Sequence, residues 1–357
     1  MISTPDIKNK ALELGFSACG VIRPDSFHDY TRFLDERVKT FPESQKLYEP
    51  LYANASLPED AKSVIVCTMS YNQYKVPESL EGRIGKCYLF DTRIAYSSEY
   101  RAKAEFEEYL KISGINVVKC NVPARLAAAK AGLGKFGHNN FIYSTEHGSY
   151  IWIDTWAVDK ELEYDPPAEN IYLSACNNCD KCIKSCPTKA LSGSFSMNRG
   201  KCITYLVCNA KKILYPNDVL DEETRSQIGL WLYGCDLCQD ACPLNRGKLK
   251  GQEEYPLLEE FEEFLKPETI MEMDEDTYRK TVNPRFWYTG EEGLSHWKYN
   301  ALRSMINSSL ASPEDTKYHS LIRRCLTHED PRIRELAQSI GRKIPLTELT
   351  EYTEVKA

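Results

Sequence analysis

Cys176-Asn177-Asn178-Cys179-Asp180-Lys181-Cys182-Ile183-Lys184-Ser185-Cys186-Pro187 is the stretch that decides how the rest of the chain is read. Its spacing, Cys-x2-Cys-x2-Cys-x3-Cys-Pro, lets three thiolates on one tight loop each reach an iron of a four-iron, four-sulfur cube. The fourth cysteine, carried onto the following helix, points to a different cube. A partner motif is therefore required, and Cys235-x2-Cys238-x3-Cys242-Pro243 supplies it. That motif lacks a third closely spaced cysteine, but Cys202 lies upstream in Lys201-Cys202-Ile203-Thr204-Tyr205. The cysteines then close on two cubes: Cys176, Cys179, Cys182 and Cys242 hold one, and Cys186, Cys202, Cys235 and Cys238 hold the other. A pair of zinc ribbons also uses Cys-x2-Cys pairs. Zinc accounts neither for a third cysteine two residues on nor for the proline after the last cysteine of both motifs. Cys208 fits no ligand position and reads as a buried core thiol.

The wider composition agrees with metal rather than disulfides. Nine of the 14 cysteines lie between Cys176 and Cys242. The start, Met1-Ile2-Ser3-Thr4-Pro5-Asp6, has no apolar signal core and no twin-arginine pair, so a cytoplasmic location is expected and oxidised disulfides are not. No apolar run approaches the ~20 residues of a membrane span. With 357 residues, 42% hydrophobic and 27% charged, the chain has room for two or three domains and the makeup of a soluble protein. A net charge of −7 confines any nucleic-acid contact to a local patch.

Outward from the cysteines, the first 165 residues read as alternating helices and strands, an α/β domain. A short helix from Asp6 to Leu14 is closed by Gly15, and a strand follows at Phe16 to Ile22. The continuous apolar run Ser63 to Met69 is the pattern of a strand covered on both faces. A helix from Tyr96 to Ile112, a strand from Ile115 to Cys120 and a helix from Ala124 to Ala131 come next. Phe141 to Ser144 and Tyr150 to Val158 are expected to pair as a hairpin turning at Glu146-His147-Gly148. Asp165-Pro166-Pro167 marks a linker, giving a first domain over 1–165, a cluster domain over 166–250 and a helical tail over 251–357. Glu253 to Glu263 reads as a solvated, acidic helix face. In the tail, Trp297, Ala301, Leu302 and Met305 form one apolar stripe. Asp330-Pro331 opens a last helix, closed by Gly341, as in a HEAT-type unit. Gly132-x-Gly134-x-x-Gly137 has dinucleotide-loop letters, but it follows a helix and precedes a strand, which is the wrong context.

Taken together, Cys176 to Leu191, Cys202 to Leu206, Tyr233 to Pro243, Ala131 to Gly137 and Gly148-Ser149-Tyr150 resemble epoxyqueuosine reductases. The tail stretches Tyr299 to Leu302 and Asp330 to Arg334 resemble that family's HEAT-like end more loosely. The resemblance implies a core shared with reductive dehalogenases. In it, two [4Fe-4S] clusters pass electrons to cobalamin, and the epoxide oxygen of epoxyqueuosine in a tRNA anticodon is removed to give queuosine. It implies that Gly132, Leu133, Gly134, Phe136, Gly137, Asn139, Gly148 and Ser149 line the corrinoid. Thr204 and Tyr205 would stand where electrons pass to cobalt. It also implies an external low-potential donor, a ferredoxin or flavodoxin.

The departures fall on the substrate side. The family's proton-donating aspartate precedes a proline by three residues. Here that register gives Cys120 before Pro123, and a gapless register from Gly132 gives Val118. His138 replaces a lysine, and an Asp-Tyr-His signature is missing from Tyr88 to Arg93. Cys120, His138 and Lys119 are the remaining candidates for the proton donor, and slow turnover of epoxyqueuosine is expected. Two other readings use the same cysteines: a paralogous reductase of another small molecule, for example a soluble dehalogenase, and a plain electron-transfer protein. Between Leu294 and Lys343 nine bases (Lys298, Arg303, Lys317, Arg323, Arg324, Arg332, Arg334, Arg342, Lys343) oppose five acids, so tRNA phosphate is expected to meet this tail.

Overall fold

The apolar run beginning at Ser63 forms a central strand of the main sheet. The computed structural model describes residues 2–89, 98–193, 195–208 and 220–339. Strands β1 (Ala18–Ile22), β2 (Ser63–Ser70), β3 (Val117–Val118) and β4 (Ile151–Val158) lie in the order β1-β2-β4-β3. Val64, Ile65, Val66 and Cys67 are fully buried, so β2 is covered on both faces, as its sequence predicts. On one side Val64, Val66, Ala157 and Ile22 pack with Ala127, Ala128 and Ala129 of the Ala124–Lys130 helix. On the other, Phe16, Phe106 and Trp156 meet in edge-on and tilted ring contacts. Every pairing in this sheet is antiparallel. The pattern of burial reports how many faces are covered. It does not report which way the neighbouring strands run.

The expected hairpin pairs differently. Ile142–Tyr143 turns back onto Lys135–Phe136, while β4 pairs with β2 and β3. Only the bridge between Ser144 and Gly148 survives from the predicted turn. The expected strand over Ile115 to Cys120 shrinks to Val117–Val118, and Cys120 lies beyond it. The first helix runs Thr4–Glu13, earlier than expected, because Ser3 and Asp6 form a reciprocal capping box. Glu253–Glu254 of the acidic stretch is a short strand beside Tyr74–Lys75, and the stretch becomes helical only at Leu258, as an α-helix over Leu258–Glu262 continued by a 3-10 turn from Glu263.

The chain divides into two compact units. The first comprises Met1–Pro77, Lys86–Cys202 and Asp236–Pro256, and the second Glu78–Gly85, Ile203–Cys235 and Leu257–Ala357. This differs from three consecutive segments. Asp165, read as the start of a linker, accepts the Val21 N–H at 2.7 Å and pairs with Lys8, which fastens it to β1. In the second unit the Leu294–Ala311 helix buries Trp297, Ala301, Leu302 and Met305 as its stripe predicts. It also buries Asn300 and Arg303, which donate to the carbonyls of Val207, Leu232, Gly229 and Trp231. Asp330 caps the Pro331–Gln338 helix through the Arg332 N–H at 2.9 Å. Gly341, Arg342 and Lys343, the start of the Tyr96 helix, and most of the stretch read for the Asp-Tyr-His signature lie outside the described residues.

Candidate functional site

The first cysteine loop is wound by its own backbone. Cys179 N–H bonds the Cys176 carbonyl at 2.9 Å, a turn of helix spans Lys181–Lys184, and Cys186 N–H bonds Ile183 at 3.3 Å. Cys176 and Cys182 are buried, and Cys179 and Cys186 are half-buried. The first unit brings a fourth thiol to this loop. Burial, then the neighbouring sulfurs of Cys242, Cys176 and Cys179, push the Cys182 thiol up to about 11. Burial also raises the Cys176 thiol, with Cys242 and Cys179 adding to it, while the nearby His138 backbone pulls it back. As free thiols these groups disfavour each other's ionisation. Iron reverses that balance, because a bound cation stabilises thiolates. Among the described residues no three His, Cys, Asp or Glu side chains converge as a single-ion site requires. A cube instead spreads its four thiolates over four irons.

Of the other four cysteines, Cys186 Sγ lies 3.6 Å from the Thr188 hydroxyl. Cys202 follows the Arg199–Lys201 turn, with its N–H on Arg199 at 3.2 Å. Cys202 and Cys238 belong to the first unit, and Cys235 ends a segment of the second.

The glycine loop and the Gly148-Ser149 turn hold the cysteine loops. His138 is 6% exposed, and its Nδ1–H donates to the Cys179 carbonyl at 3.0 Å while its ring meets Phe195 edge-on. Asn139 donates to the Cys238 carbonyl at 3.0 Å and to the Tyr143 hydroxyl at 2.9 Å. Ser149 donates its N–H to Asn245 Oδ1 at 2.9 Å and its hydroxyl to Gln239 Oε1 at 2.8 Å. Asn245 returns bonds to Ser149 Oγ and the Gln239 carbonyl, both at 2.8 Å. Gln239 in turn donates to Asp236 at 3.1 Å, and Asp236 accepts the Lys86 backbone N–H at 2.7 Å. Burial pushes the Asp236 carboxyl up while Lys86 pulls it back. Asp236, Gln239, Ser149, Asn139 and Asn245 are all buried. A buried network of this kind is stable only when each member is satisfied, and here it fixes the backbone that carries Cys238 and Cys242.

The glycines have internal reasons. A side chain at Gly134 would strike Ile142 at 2.5 Å and the Tyr143 carbonyl at 2.8 Å, and one at Gly137 would strike the Tyr143 ring at 2.6 Å. Gly148, at φ +61°, leaves the room that the Asn245 carboxamide fills. Gly132 alone faces open space and takes φ +73° to end the preceding helix. Leu133 and Phe136 pack on the core beside the Ala127–Ala129 face. Thr204 and Tyr205 are half-buried on the Ile203–Cys208 helix of the second unit.

The three candidate proton donors part company. His138 is committed to the Cys179 loop, Lys119 is exposed, and Cys120 is half-buried against the alanine face. Burial, then the Asp60 charge, raise the Cys120 thiol. In the tail, Arg303 is buried on carbonyls, while Lys317, Arg324 and Arg332 pair with Glu268, Glu272 and Asp330. The reading from sequence missed Asn245, Gln239, Asp236 and Lys86. For the first three the signal is the set of polar residues lodged between and just after the ligands of the second motif; Lys86, distant in sequence, carries none.

A family model described as a 4Fe-4S double cluster binding domain matches residues 175–245. The epoxyqueuosine reductase of Cellulophaga algicola is 30% identical over 251 residues, covering 67% of this chain and 78% of that protein. That of Lactococcus garvieae is 30% identical over 259 residues, covering 68% and 69%. A solved structure of the Bacillus subtilis epoxyqueuosine reductase, with its catalytic aspartate loop swung out of the active site, matches with a TM-score of 0.70 at 21% identity. It covers 94% of this chain and 96% of that one. An epoxyqueuosine reductase solved with an epoxyqueuosine-modified tRNA-Tyr stem loop matches with a TM-score of 0.67 at 21% identity, covering 94% and 96%. At that identity the two structures speak for the fold. No helix of the described residues is long and apolar enough to cross a membrane.

Proposed function

The chain belongs to the epoxyqueuosine reductase family, and from that premise we propose that it reduces the epoxide of epoxyqueuosine in a tRNA anticodon to queuosine. The reaction takes two electrons and two protons and releases the oxygen as water. What supports the electron side is that Cys242, from the second motif, lies near enough to the Cys176-Cys179-Cys182 loop to weigh on the Cys176 and Cys182 thiols. The donor set fits a cube, since the four thiols come from two loops in the crosswise pattern that ferredoxin spacing requires. Spacing assigns Cys186, Cys202, Cys235 and Cys238 to the second cube. Bound there, the cubes supply one-electron transfer. The chain's own contribution is to hold the ligand loops still: the His138 ring holds the Cys179 carbonyl, and Asn139, Ser149 and Asn245 fix the loop of Cys238 and Cys242.

Cobalamin is part of the proposal through the family resemblance, and it would supply the two-electron chemistry at the epoxide. Residues assigned above to its wall, Gly134, Gly137, Asn139, Gly148 and Ser149, are engaged with protein atoms. The proposal therefore places the corrinoid against the backbone of this loop and turn rather than against the Asn139 and Ser149 side chains. For the proton, Cys120 has the place of the family's aspartate in the register set by Pro123, and its raised thiol keeps a proton at neutral pH. The same family reading proposes a low-potential ferredoxin or flavodoxin as donor, a HEAT-like role for the tail helices, and a cytoplasmic setting. The test is anaerobic turnover of epoxyqueuosine-containing tRNA by the reconstituted protein. Full cluster and corrinoid loading with no queuosine formed would leave the paralogous small-molecule reductase as the better reading.

A further inference from the structure

The second cysteine motif runs straight into a basic, partly apolar loop. From Ala241 to Gln252 the chain holds Arg246, Lys248 and Lys250 and no acid, within a protein of net charge −7. Leu244 and Leu249 are 37% and 38% exposed there, and Arg246 and Lys250 are exposed beside them. A lysine- or arginine-bearing loop on a surface is ordinarily a solvated one. Here three further observations set it apart. It begins one residue after Cys242, a thiol of the first cube. It is fastened rather than free: Asn72, itself buried, donates to the Lys248 carbonyl at 2.8 Å and accepts the Lys250 N–H at 2.7 Å. Asn245 anchors the other end on Ser149, and Lys248 Nζ reaches the Thr145 carbonyl at 2.9 Å. Two exposed leucines inside a basic rim also make the surface chemistry of a transient protein contact, with an apolar centre and charges that steer. The local field is positive enough that Lys250 and Lys248 help burial to lower the His147 imidazole, against Glu146.

We propose that the loop Pro243 to Gly251 is the docking face for an acidic one-electron carrier protein, which reduces the Cys176-Cys179-Cys182-Cys242 cube across it. This rests on the cube assignment made above. The step moves one electron: the carrier is oxidised by one electron and the cube is reduced by one, with no proton and no bond changed. The place of entry follows from the loop's continuity with Cys242. The acidic character of the carrier follows from the three bases, and the leucines supply the close, water-excluding contact that electron transfer needs.

The test uses the full chain with both cubes reconstituted and no tRNA present, so it reads cluster reduction independently of turnover. Stopped-flow absorbance follows reduction by a reduced acidic flavodoxin or ferredoxin across a salt series. Deazaflavin photoreduction of the same sample serves as a carrier-free control. The second-order rate for the unaltered chain is expected to fall steeply with salt, as steered association does. Arg246→Glu with Lys250→Glu is expected to lower the low-salt rate at least about tenfold and to flatten the salt dependence. Iron content and photoreduction should stay unchanged. Arg246→Gln with Lys250→Gln, which adds no repulsion, should fall between. A carrier rate that ignores salt in the unaltered chain overturns the proposal even if the charge-reversed protein loads poorly. So does a double variant that weakens binding of a tRNA stem loop while its carrier rate is unchanged, which would make this an RNA surface. Failure of epoxyqueuosine turnover with a normal, salt-sensitive carrier rate would instead count against the substrate assignment alone.

Discussion

Asn245→Leu removes the keystone of the network beneath the second cysteine motif. The asparagine is 5% exposed, and its carboxamide makes three bonds at 2.8–2.9 Å. Leucine keeps the branch at Cγ and the same number of side-chain heavy atoms, with bulkier methyl ends, so no cavity opens and the bonds lost are polar. The Ser149 N–H loses its partner in a buried place, at about 1–3 kcal/mol. The Gln239 carbonyl keeps the Cys242 N–H at 3.1 Å, and Ser149 Oγ keeps Gln239 Oε1, so these two lose a bond without being stranded. At about 0.5–1.5 kcal/mol each, the sum is roughly 2–6 kcal/mol, placed on the backbone that aims Cys238 and Cys242. Iron and acid-labile sulfide after anaerobic reconstitution should fall well below the ~8 of each expected for two cubes. The urea midpoint of the loaded protein should fall too, and the spectrum of the reduced clusters should broaden. Asn245→Asp keeps the acceptor for Ser149 and should lie between. Gly148→Ala, which drives a methyl into the same side chain at a φ of +61°, should lower iron loading in its own right. An Asn245→Leu protein with full iron and an unmoved midpoint would refute the network's role.

Cys202→Ala should leave one cube and Cys182→Ala the other, read as about four irons per chain in each variant with distinguishable reduced spectra; one cube lost in common would refute the crosswise assignment. Gly134→Val, whose branched side chain meets Ile142 and the Tyr143 carbonyl, should lower iron loading along with any corrinoid uptake, because that loop carries His138 and Asn139. Cys120→Asp should raise epoxyqueuosine turnover toward the ~10²–10⁴-fold that a placed general acid contributes. Val118→Asp should not, since Val118 is paired with Ala157 in the sheet; the opposite ranking would show that the glycine loop sets the register. Burial raises the Asp330 carboxyl, but bonds from Arg332 and Ser295 outweigh it and bring the group down to about 2. The stability it contributes is complete above the ordinary carboxylate range and is lost only as pH falls toward 2. Asp330→Asn should therefore lower the urea midpoint by the same amount at every pH from 8 to 5.

The cysteine frame and the strands were legible because each writes a short, local rule into the chain. Thiol spacing is fixed by cube geometry, and the apolar run at Ser63 is fixed by burial on two faces. Capping at Asp330 was legible for the same reason. Strand direction was not, since Val64 to Cys67 would be buried alike between parallel neighbours or the antiparallel ones they have, and burial is blind to that choice. The glycine loop is ambiguous for a physical reason as well. Glycine marks a place where something approaches closely, and the sequence does not say whether it is a ligand or, as at Gly134 and Gly137, the ring and backbone of Tyr143. The tail carries a positive balance, yet Arg303 directs its charge at buried carbonyls and three other bases are paired, which no count of residues reveals.

These two outcomes are connected. One loop, Gly132 to Asn140, sits between the core helix Ala124–Lys130 and the cysteine turns, and its His138 and Asn139 side chains bond the cysteine side. Replacing a long, charged lysine by His138 fits that position, because an imidazole can be buried and still donate to the Cys179 carbonyl. A lysine there would need its ammonium desolvated. The departures read from sequence thus separate into two kinds. His138 is accommodated by the structure as part of the cluster support. Cys120 stands apart from that network, on the alanine face, with its thiol held protonated by burial and Asp60. The electron side of the reaction can therefore be intact while the proton side is slow, and the two are separable by experiment because no hydrogen bond of the cluster network runs through Cys120.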